Sequence, residues 1–119
     1  MFFFRKPSLP GLSITEAVDA AARGDLLVID VREAGELAAT GKAAGALHVP
    51  LMQLSARADR NHPEFEPLLE GASRIAVYCA SGGRSARARK LLLGLGYPEV
   101  HNLGGLGHWA RAGGRIERA

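Results

Sequence analysis

The segment best suited to chemistry holds the chain's only cysteine and reads Cys79, Ala80, Ser81, Gly82, Gly83, Arg84 and Ser85. The two glycines can adopt positive φ angles, which allows successive backbone N–H groups to converge on one point. A helix N-terminus adds further unpaired N–H groups and partial positive charge. Because both effects stabilise an anion, we expect a lowered pKa for Cys79 and a nucleophilic thiolate.

The sequence on either side of this segment predicts how it is held. Residues 74–78 form a short apolar stretch rich in strand-forming residues. After Ser85, apolar residues recur at helical spacing, at Ala88, Leu91, Leu92 and Leu95. Cys79 is therefore predicted to lie where a buried strand turns into a helix. That helix carries Arg84 and Arg87 near its start and no carboxylate, which suits an anion in the loop. The alternative is a buried, inert cysteine beside a glycine turn.

A second group of polar residues follows another predicted strand. Residues 26–31 form an apolar run in which Asp30 is the one polar residue, a pattern typical of a central strand covered on both faces. Asp30 stands near the carboxyl end of this strand, where α/β proteins place their sites, although it could instead cap a neighbouring turn or helix. Arg32 and Glu36 follow four residues apart. They are expected either to pair across a short helix from Glu33 to about Ala39 or to support the site loop from beneath.

The rest of the chain alternates between predicted helices and strands. Ser13 and Glu16 have the spacing of a capping box, and Gly24 is placed to end the helix that they begin. Short strands are predicted at residues 46–50 and 99–103, with a loop from Leu51 and a last helical segment around Trp109. This order predicts one α/β domain with a mostly parallel central sheet of about five strands and helices on both faces.

The first twelve residues, 1–12, are predicted to form an N-terminal arm. Pro7 and Pro10 limit regular strand pairing there. The aromatic run Phe2–Phe4 is expected to pack on the domain or on a partner. Met1–Phe4 is too short for the core of a secretory signal, although an export signal removed from the chain would leave the same sequence.

Composition narrows the classes of protein. A chain of 119 residues with 47% hydrophobic and 23% charged residues is ordinary for one soluble domain. The net charge of +3 comes without a basic run interleaved with aromatic residues, so no nucleic-acid partner is expected. No apolar run approaches the ~20 residues of a membrane span. A single cysteine cannot form an internal disulfide, which favours the cytoplasm. The four histidines show no metal-ligand spacing, and of these only His108 is considered a neighbour of the site.

Three separated motifs, in the expected order, resemble the single-domain rhodanese family of sulfurtransferases. The first comprises Ile29–Glu33 with Glu36, followed by Gly45–Pro50, and the second is Val77–Ser85. The third comprises Gly96, Tyr97, Val100, Asn102, Leu103, Gly104, Gly105 and Trp109. The resemblance identifies residues 13–119 as one rhodanese-like domain. One departure is that Gly41–Ala46 lacks the histidine and proline that the family commonly has there, a difference that we interpret as structural.

The resemblance implies sulfur transfer in two half-reactions. Cys79 would take a sulfane sulfur from a small anionic donor such as thiosulfate, become a persulfide, and pass the sulfur to cyanide or a cellular thiol. A sulfur-relay protein could be the partner. Backbone N–H groups of residues 80–85 would surround the sulfur, and Arg84 would favour the anionic donor. Asp30, Arg32 and Glu36 would support the loop from behind. No metal or organic cofactor is implied.

Two other functions stay open at this point. One is a non-enzymatic module of the same fold that carries a persulfide or binds a partner. The other is a Cys-dependent phosphatase or arsenate reductase. Some phosphatases and arsenate reductases resemble rhodaneses in fold, but they carry five residues between the cysteine and the arginine, as Cys-x5-Arg. Here only four residues separate Cys79 from Arg84. A loop shorter by one residue suits a sulfur atom better than a phosphate group with its oxygens.

Overall fold

The computed structural model describes residues 12–119, so the predicted arm and its Phe2–Phe4 run lie outside the described residues apart from Leu12. Within this range, no helix is long and apolar enough to cross a membrane. The helices are α1 (Ile14–Ala22), α2 (Ala34–Thr40), α3 (Leu51–Arg57), α4 (Gly83–Gly94) and α5 (Leu106–Arg111), with a 3-10 turn at Pro67–Leu69. The strands are β1 (Leu27–Asp30), β2 (Lys42–Ala43), β3 (Leu47–His48), β4 (Ile75–Cys79), β5 (Val100–Gly105) and β6 (Ile116–Glu117).

Among the described residues, the central sheet has four strands in the order β3-β1-β4-β5, and all three neighbouring pairs are parallel. The expectation of about five strands was therefore wrong, while that of a mostly parallel sheet is confirmed. The two remaining strands, β2 and β6, pair antiparallel with each other in a separate ribbon. Lys42 is opposite Glu117 there, so this short strand finds its partner near the chain's end, which local sequence patterns do not reveal.

Helices cover both faces of the sheet, as predicted. On one face, Ile29 and Val77 pack with Leu54 of α3 and Leu92 of α4. On the other face, Val28 and Tyr78 pack with residues of α1 and with Trp109 of α5. Successive strand residues point to opposite sides, which explains why β1 and β4 are continuous apolar runs. Because β1 and β4 are parallel, their carboxyl ends lie at the same edge of the sheet, where Asp30 is opposite Tyr78.

Local signals predicted the positions of α1 and α2 correctly. The capping box of α1 is present, with Ser13 Oγ accepting from the Glu16 N–H at 3.1 Å and Glu16 Oε1 accepting from the Ser13 N–H at 2.9 Å. The short helix expected from Glu33 is also confirmed, as α2. The loop expected from Leu51 was wrong, because α3 begins there. Leu54 of α3 and Ala58, which directly follows the helix, are both buried. They follow Leu51 at spacings of three and seven, a helical pattern that indicates this element.

The pairing between β4 and β5 contains an irregularity next to Cys79. Val77 pairs with Asn102, but Cys79 pairs with Gly105, so β5 has one more residue than β4 over this step. Gly104 within this bulge has a φ of +85°, in the left-handed region that favours glycine. Bulges of this kind re-aim side chains beside functional sites. Here the bulge brings residues 102–105 against the segment that follows Cys79.

Candidate active site

Cys79 is the last residue of β4, and its side chain is only 1% exposed. The chain leaves the strand through Ala80 and Ser81. It enters α4 at Gly82, whose φ of +110° is in the left-handed region. Gly83, Arg84 and Ser85 form the first turn of α4. The predicted site segment is thus a three-residue loop, Ala80–Gly82, followed by a helical turn, and Cys79 stands at the predicted junction.

The sulfur of Cys79 lies among hydrogen-bond donors. The Gly82 N–H donates to Sγ at 3.0 Å, and the Ser85 hydroxyl oxygen lies 3.4 Å from it. Burial raises the pKa of the Cys79 thiol, but hydrogen bonds from the Ser85 hydroxyl and from the N–H groups of Ser85, Gly82 and Ser81 outweigh it. The resulting pKa is about 7, which confirms the predicted lowering. A substantial fraction of the thiol is therefore ionised at neutral pH.

Arg84 extends from the first turn of α4 to Glu36 of α2. Its Nη1 donates to Oε1 at 2.6 Å and its Nη2 donates to Oε2 at 2.9 Å. The Arg84 hydrogen bonds, together with the N–H of Glu33, lower the pKa of Glu36 to about 2. The expected pairing of Arg32 with Glu36 was wrong. Arg32 precedes α2 and is not on its surface, so the four-residue spacing does not bring the two side chains together.

Arg32 belongs instead to a buried network with Asp30 and Tyr78. Asp30 is fully buried and Arg32 is 3% exposed. Arg32 Nη2 donates to Asp30 Oδ2 at 2.8 Å, and the Tyr78 hydroxyl donates to the same oxygen. Burial and this hydrogen bond to Asp30 raise the pKa of Tyr78, so its hydroxyl stays neutral. Arg32 also bonds to Thr40 and the Gly41 carbonyl. This network therefore braces β1, β4 and α2, and it reaches Cys79 only through its chain neighbour Tyr78.

Residues at the end of β5 support the loop, a role that their place in the third sequence motif does not by itself indicate. Asn102 Oδ1 accepts from the Ser85 hydroxyl at 2.7 Å, and Asn102 Nδ2 donates to the Gly82 carbonyl at 3.1 Å. Gly105 packs directly behind the loop, since a Cβ built on it would overlap the carbonyl oxygen of Ala80. The bulge in β5 makes this close approach possible. These contacts hold the loop against β5, while Arg84 links the first turn of α4 to α2.

A shallow groove of about 520 Å³ adjoins the loop on its outer side. It is lined by Ile14, Ser81, Gly82, Asn102, Leu103, Gly104 and His108. The Nδ1 of His108 accepts from the Gly105 N–H at 3.1 Å, so His108 is indeed a neighbour of the loop. Trp109 is in the core, where its Nε1 donates to the Arg115 carbonyl, as expected for a packing residue. Arg87 is exposed on α4.

The arrangement combines a partly ionised thiol, converging N–H donors and a cationic helix. Among residues 12–119, no three side chains of His, Cys, Asp or Glu gather as metal ligands would. The four charged residues of α4 are all cations, namely Arg84, Arg87, Arg89 and Lys90. Such a site can attack an electrophilic atom with sulfur and can stabilise negative charge there.

Comparison with known proteins identifies a family and several named relatives. A family model described as "Rhodanese-like domain" matches residues 13–112. The chain is 35% identical over 114 residues to a protein of Arabidopsis thaliana named thiosulfate sulfurtransferase 16, chloroplastic, with 92% of each chain covered. A human single-domain sulfurtransferase has a similar structure, with a TM-score of 0.73, 27% identity, and coverage of 87% of this chain and 97% of that chain.

A further solved structure of the same fold has a different description. It is a protein of unknown function from Rhodopseudomonas palustris, described as a possible tyrosine phosphatase. Its TM-score is 0.80 with 32% sequence identity, and the alignment covers 90% of this chain and 83% of that chain. Similarity of fold therefore does not by itself choose between sulfur transfer and phosphate chemistry.

Proposed function

The chain belongs to the rhodanese-like domain family, whose matched relatives include named sulfurtransferases, and on that premise we propose that it transfers sulfane sulfur through a persulfide on Cys79. The observation that carries the proposal is the donor set around the sulfur of Cys79. The Gly82 N–H and the Ser85 hydroxyl are placed at a strand-to-helix turn where they can stabilise a thiolate. The same donors can stabilise the persulfide anion that replaces it.

The first half-reaction uses Cys79 as the nucleophile. Its thiolate attacks the outer sulfur of thiosulfate, a bond forms between the two sulfurs, and the sulfur–sulfur bond of the donor breaks. Sulfite leaves with the electron pair, and Cys79 becomes a persulfide anion. In the second half-reaction, cyanide or a thiolate attacks the outer sulfur of that persulfide. Thiocyanate or a new persulfide is released, and the Cys79 thiolate is restored.

The charges around the loop support an anionic donor. Helix α4 holds four cations and no carboxylate, and its N-terminus faces the sulfur. Arg84 is held by Glu36, so its position beside the loop is fixed before a donor arrives. Because a bidentate ion pair restricts the guanidinium, Arg84 acts first as a structural support of the loop. Exposed Arg87 and Lys90 add to the field that attracts an anion.

Phosphate-ester hydrolysis is the second candidate, because one structural neighbour is described as a possible tyrosine phosphatase. Two observations favour sulfur transfer over it. Only four residues separate Cys79 from Arg84, and the Arg84 guanidinium is directed to Glu36. A phosphate with three terminal oxygens needs a wider ring of donors than a single sulfur.

A cytoplasmic location, and the identity of the acceptor or of a relay partner, stay predictions.

The test is the intact mass of the protein after incubation with thiosulfate, and again after addition of cyanide. Wild-type protein should gain one sulfur atom and lose it as thiocyanate, while Cys79→Ser should gain none. Phosphate release from a small aryl phosphate is measured in parallel. If the protein gains no sulfur from thiosulfate or from other sulfane donors, and phosphate release depends on Cys79, the sulfur-transfer proposal is wrong and the protein is a phosphatase.

Turnover separates an enzyme from a carrier of the same fold. Steady-state thiocyanate formation at rates well above those of free cysteine with thiosulfate would indicate a sulfurtransferase. A persulfide that forms stoichiometrically but is not passed on to cyanide or small thiols would instead indicate a carrier, and the search for a protein acceptor would follow.

A further inference from the structure

The single hydroxyl proton of Ser85 has two acceptors within reach. Ser85 is fully buried, and its Oγ lies 2.7 Å from Asn102 Oδ1 and 3.4 Å from Cys79 Sγ. The Gly104 carbonyl oxygen is also at 3.4 Å. A hydroxyl group donates only one hydrogen bond at a time. The short distance to Asn102 indicates that the proton points there in the structure.

The orientation of the Asn102 amide is determined by its other two partners. Its Nδ2 faces the Gly82 carbonyl at 3.1 Å, and its Oδ1 faces the Gly104 N–H at 2.9 Å. A flipped amide would place an NH2 group against an N–H and an oxygen against a carbonyl oxygen. Both contacts would be repulsive, so Oδ1 is the atom that faces Ser85.

The state of Cys79 then decides where the Ser85 proton goes. A neutral Cys79 thiol can donate its own proton to Ser85 Oγ while Ser85 donates to Asn102. A thiolate already accepts from backbone N–H groups, among them that of Gly82, and it gains the Ser85 hydroxyl as a further donor only if the Ser85 proton turns to the sulfur. That turn leaves Ser85 Oγ and Asn102 Oδ1 as two acceptors 2.7 Å apart with no proton between them. The thiolate therefore costs the site a hydrogen bond that the thiol keeps.

We propose that Asn102 is a positioning residue that competes with the Cys79 sulfur for the hydroxyl proton of Ser85 and so limits how strongly the site stabilises the thiolate. The proposal rests on the proposed function only in taking Cys79 as the nucleophile. Such a limit on thiolate stabilisation would favour a reactive nucleophile. A thiolate of very low pKa is a weak nucleophile, and the most effective attacking thiol has a pKa near the ambient pH.

The test is a double-mutant cycle on the pH dependence of Cys79 alkylation by iodoacetamide, followed by intact mass, in wild type, Asn102→Ala, Ser85→Ala and the double variant. Alkylation reports the thiolate whether or not the protein transfers sulfur, so failure of the proposed function leaves this readout intact. Ser85→Ala should raise the midpoint, because the thiolate loses a donor. Asn102→Ala in the wild-type background should lower it by about 0.5 to 1 pH unit, the equivalent of about one hydrogen bond.

The Ser85→Ala background separates this competition from the support that Asn102 gives the loop through Gly82. Without the Ser85 hydroxyl, Asn102→Ala can only loosen the loop, so its midpoint should stay the same or rise. Subtracting this shift from the shift in wild type should leave a negative value. A difference of zero or above would overturn the proposal. If Asn102→Ala does not fold, Asn102→Asp is compared in the same two backgrounds, because a carboxylate raises the midpoint by its charge alone and the Ser85→Ala background measures that part. A charged acceptor also holds the Ser85 proton more firmly, so the midpoint should rise more in the wild-type background than in Ser85→Ala. An equal or smaller rise would also overturn the proposal.

Discussion

Arg84 and Glu36, 48 residues apart in the sequence, form a bidentate ion pair between α4 and α2, with both N–O distances below 3 Å. Both side chains are one-third exposed, so solvent screens the attraction, and the pair contributes more to geometry than to stability. The planar guanidinium meets the carboxylate with two parallel hydrogen bonds, which fixes its direction. The first turn of α4 is thereby fixed to α2, and with it the N–H groups that face the sulfur.

Arg84→Lys should separate the geometry of this pair from its charge. A lysine keeps the positive charge but cannot hold both carboxylate oxygens, so the first turn of α4 loses its fixed link to α2. We expect kcat/KM for thiosulfate to fall about tenfold, while the free energy of unfolding changes by less than about 1 kcal/mol. Arg87→Lys, at an exposed position on the same helix, is the matched control and should stay within about twofold of wild type. Equal kinetics for the two variants would show that the ion pair has no role in positioning.

The thiolate content of the site should follow a pKa near 7. Alkylation of Cys79 should rise about tenfold per pH unit below neutrality and level off above pH 8, because hydrogen bonds favour the charged form over the neutral thiol. The measurement is the rate of mass gain with iodoacetamide between pH 5 and 9, with Cys79→Ser as the unreactive control. A midpoint at or above the ordinary value for a free cysteine would contradict the role given to the Gly82 and Ser85 donors.

The buried network should matter to stability far more than an exposed pair of the same residue types. Arg32→Met leaves Asp30 buried without its counter-charge, and we expect a loss of about 3–5 kcal/mol in the free energy of unfolding. The control is Arg23→Met, which removes the partner of Asp25 in a pair whose side chains are about 60% exposed and should cost less than about 1 kcal/mol. Urea denaturation followed by circular dichroism measures both. Similar losses in the two variants would mean that Asp30 is better solvated than its burial implies.

Gly105→Ala should damage the site more than the fold. The added Cβ would overlap the Ala80 carbonyl, so the loop must move away from its position under Cys79. A displacement of about 1 Å in such a cradle can cost about a hundredfold in kcat/KM, while crowding costs about 1–3 kcal/mol of stability. Gly35→Ala is the matched control. Gly35 lies in α2, and a Cβ added to it meets no atom within 4 Å. That variant should keep full activity with equal or slightly higher stability. Full activity in Gly105→Ala would show that the loop tolerates a shift.

Features that depend on residues close together in the chain could be predicted from the sequence alone. The strand before Cys79, the glycine at the start of α4 and the periodicity of Ala88 and Leu92 all act within one or two turns of chain. The lowered pKa followed from the same local geometry, because its donors belong to residues 81–85. The capping box of α1 is local in the same sense. The spacing of Leu51, Leu54 and Ala58 is a local signal of the same kind for α3.

Contacts between side chains that are distant in the sequence depend on how the helices and strands pack. The pairs Arg84 with Glu36 and Tyr78 with Asp30 each join residues 48 positions apart, and Ser85 meets Asn102 from 17 positions away. Sequence spacing suggested Arg32 as the partner of Glu36, but the strand order β3-β1-β4-β5 places β1 beside β4, and the polar residues at their carboxyl ends pair across that edge. The central sheet's four strands and the separate β2–β6 ribbon were decided in the same way. A hydrogen bond or ion pair between distant residues depends on the packing of whole elements, and no local pattern encodes that choice.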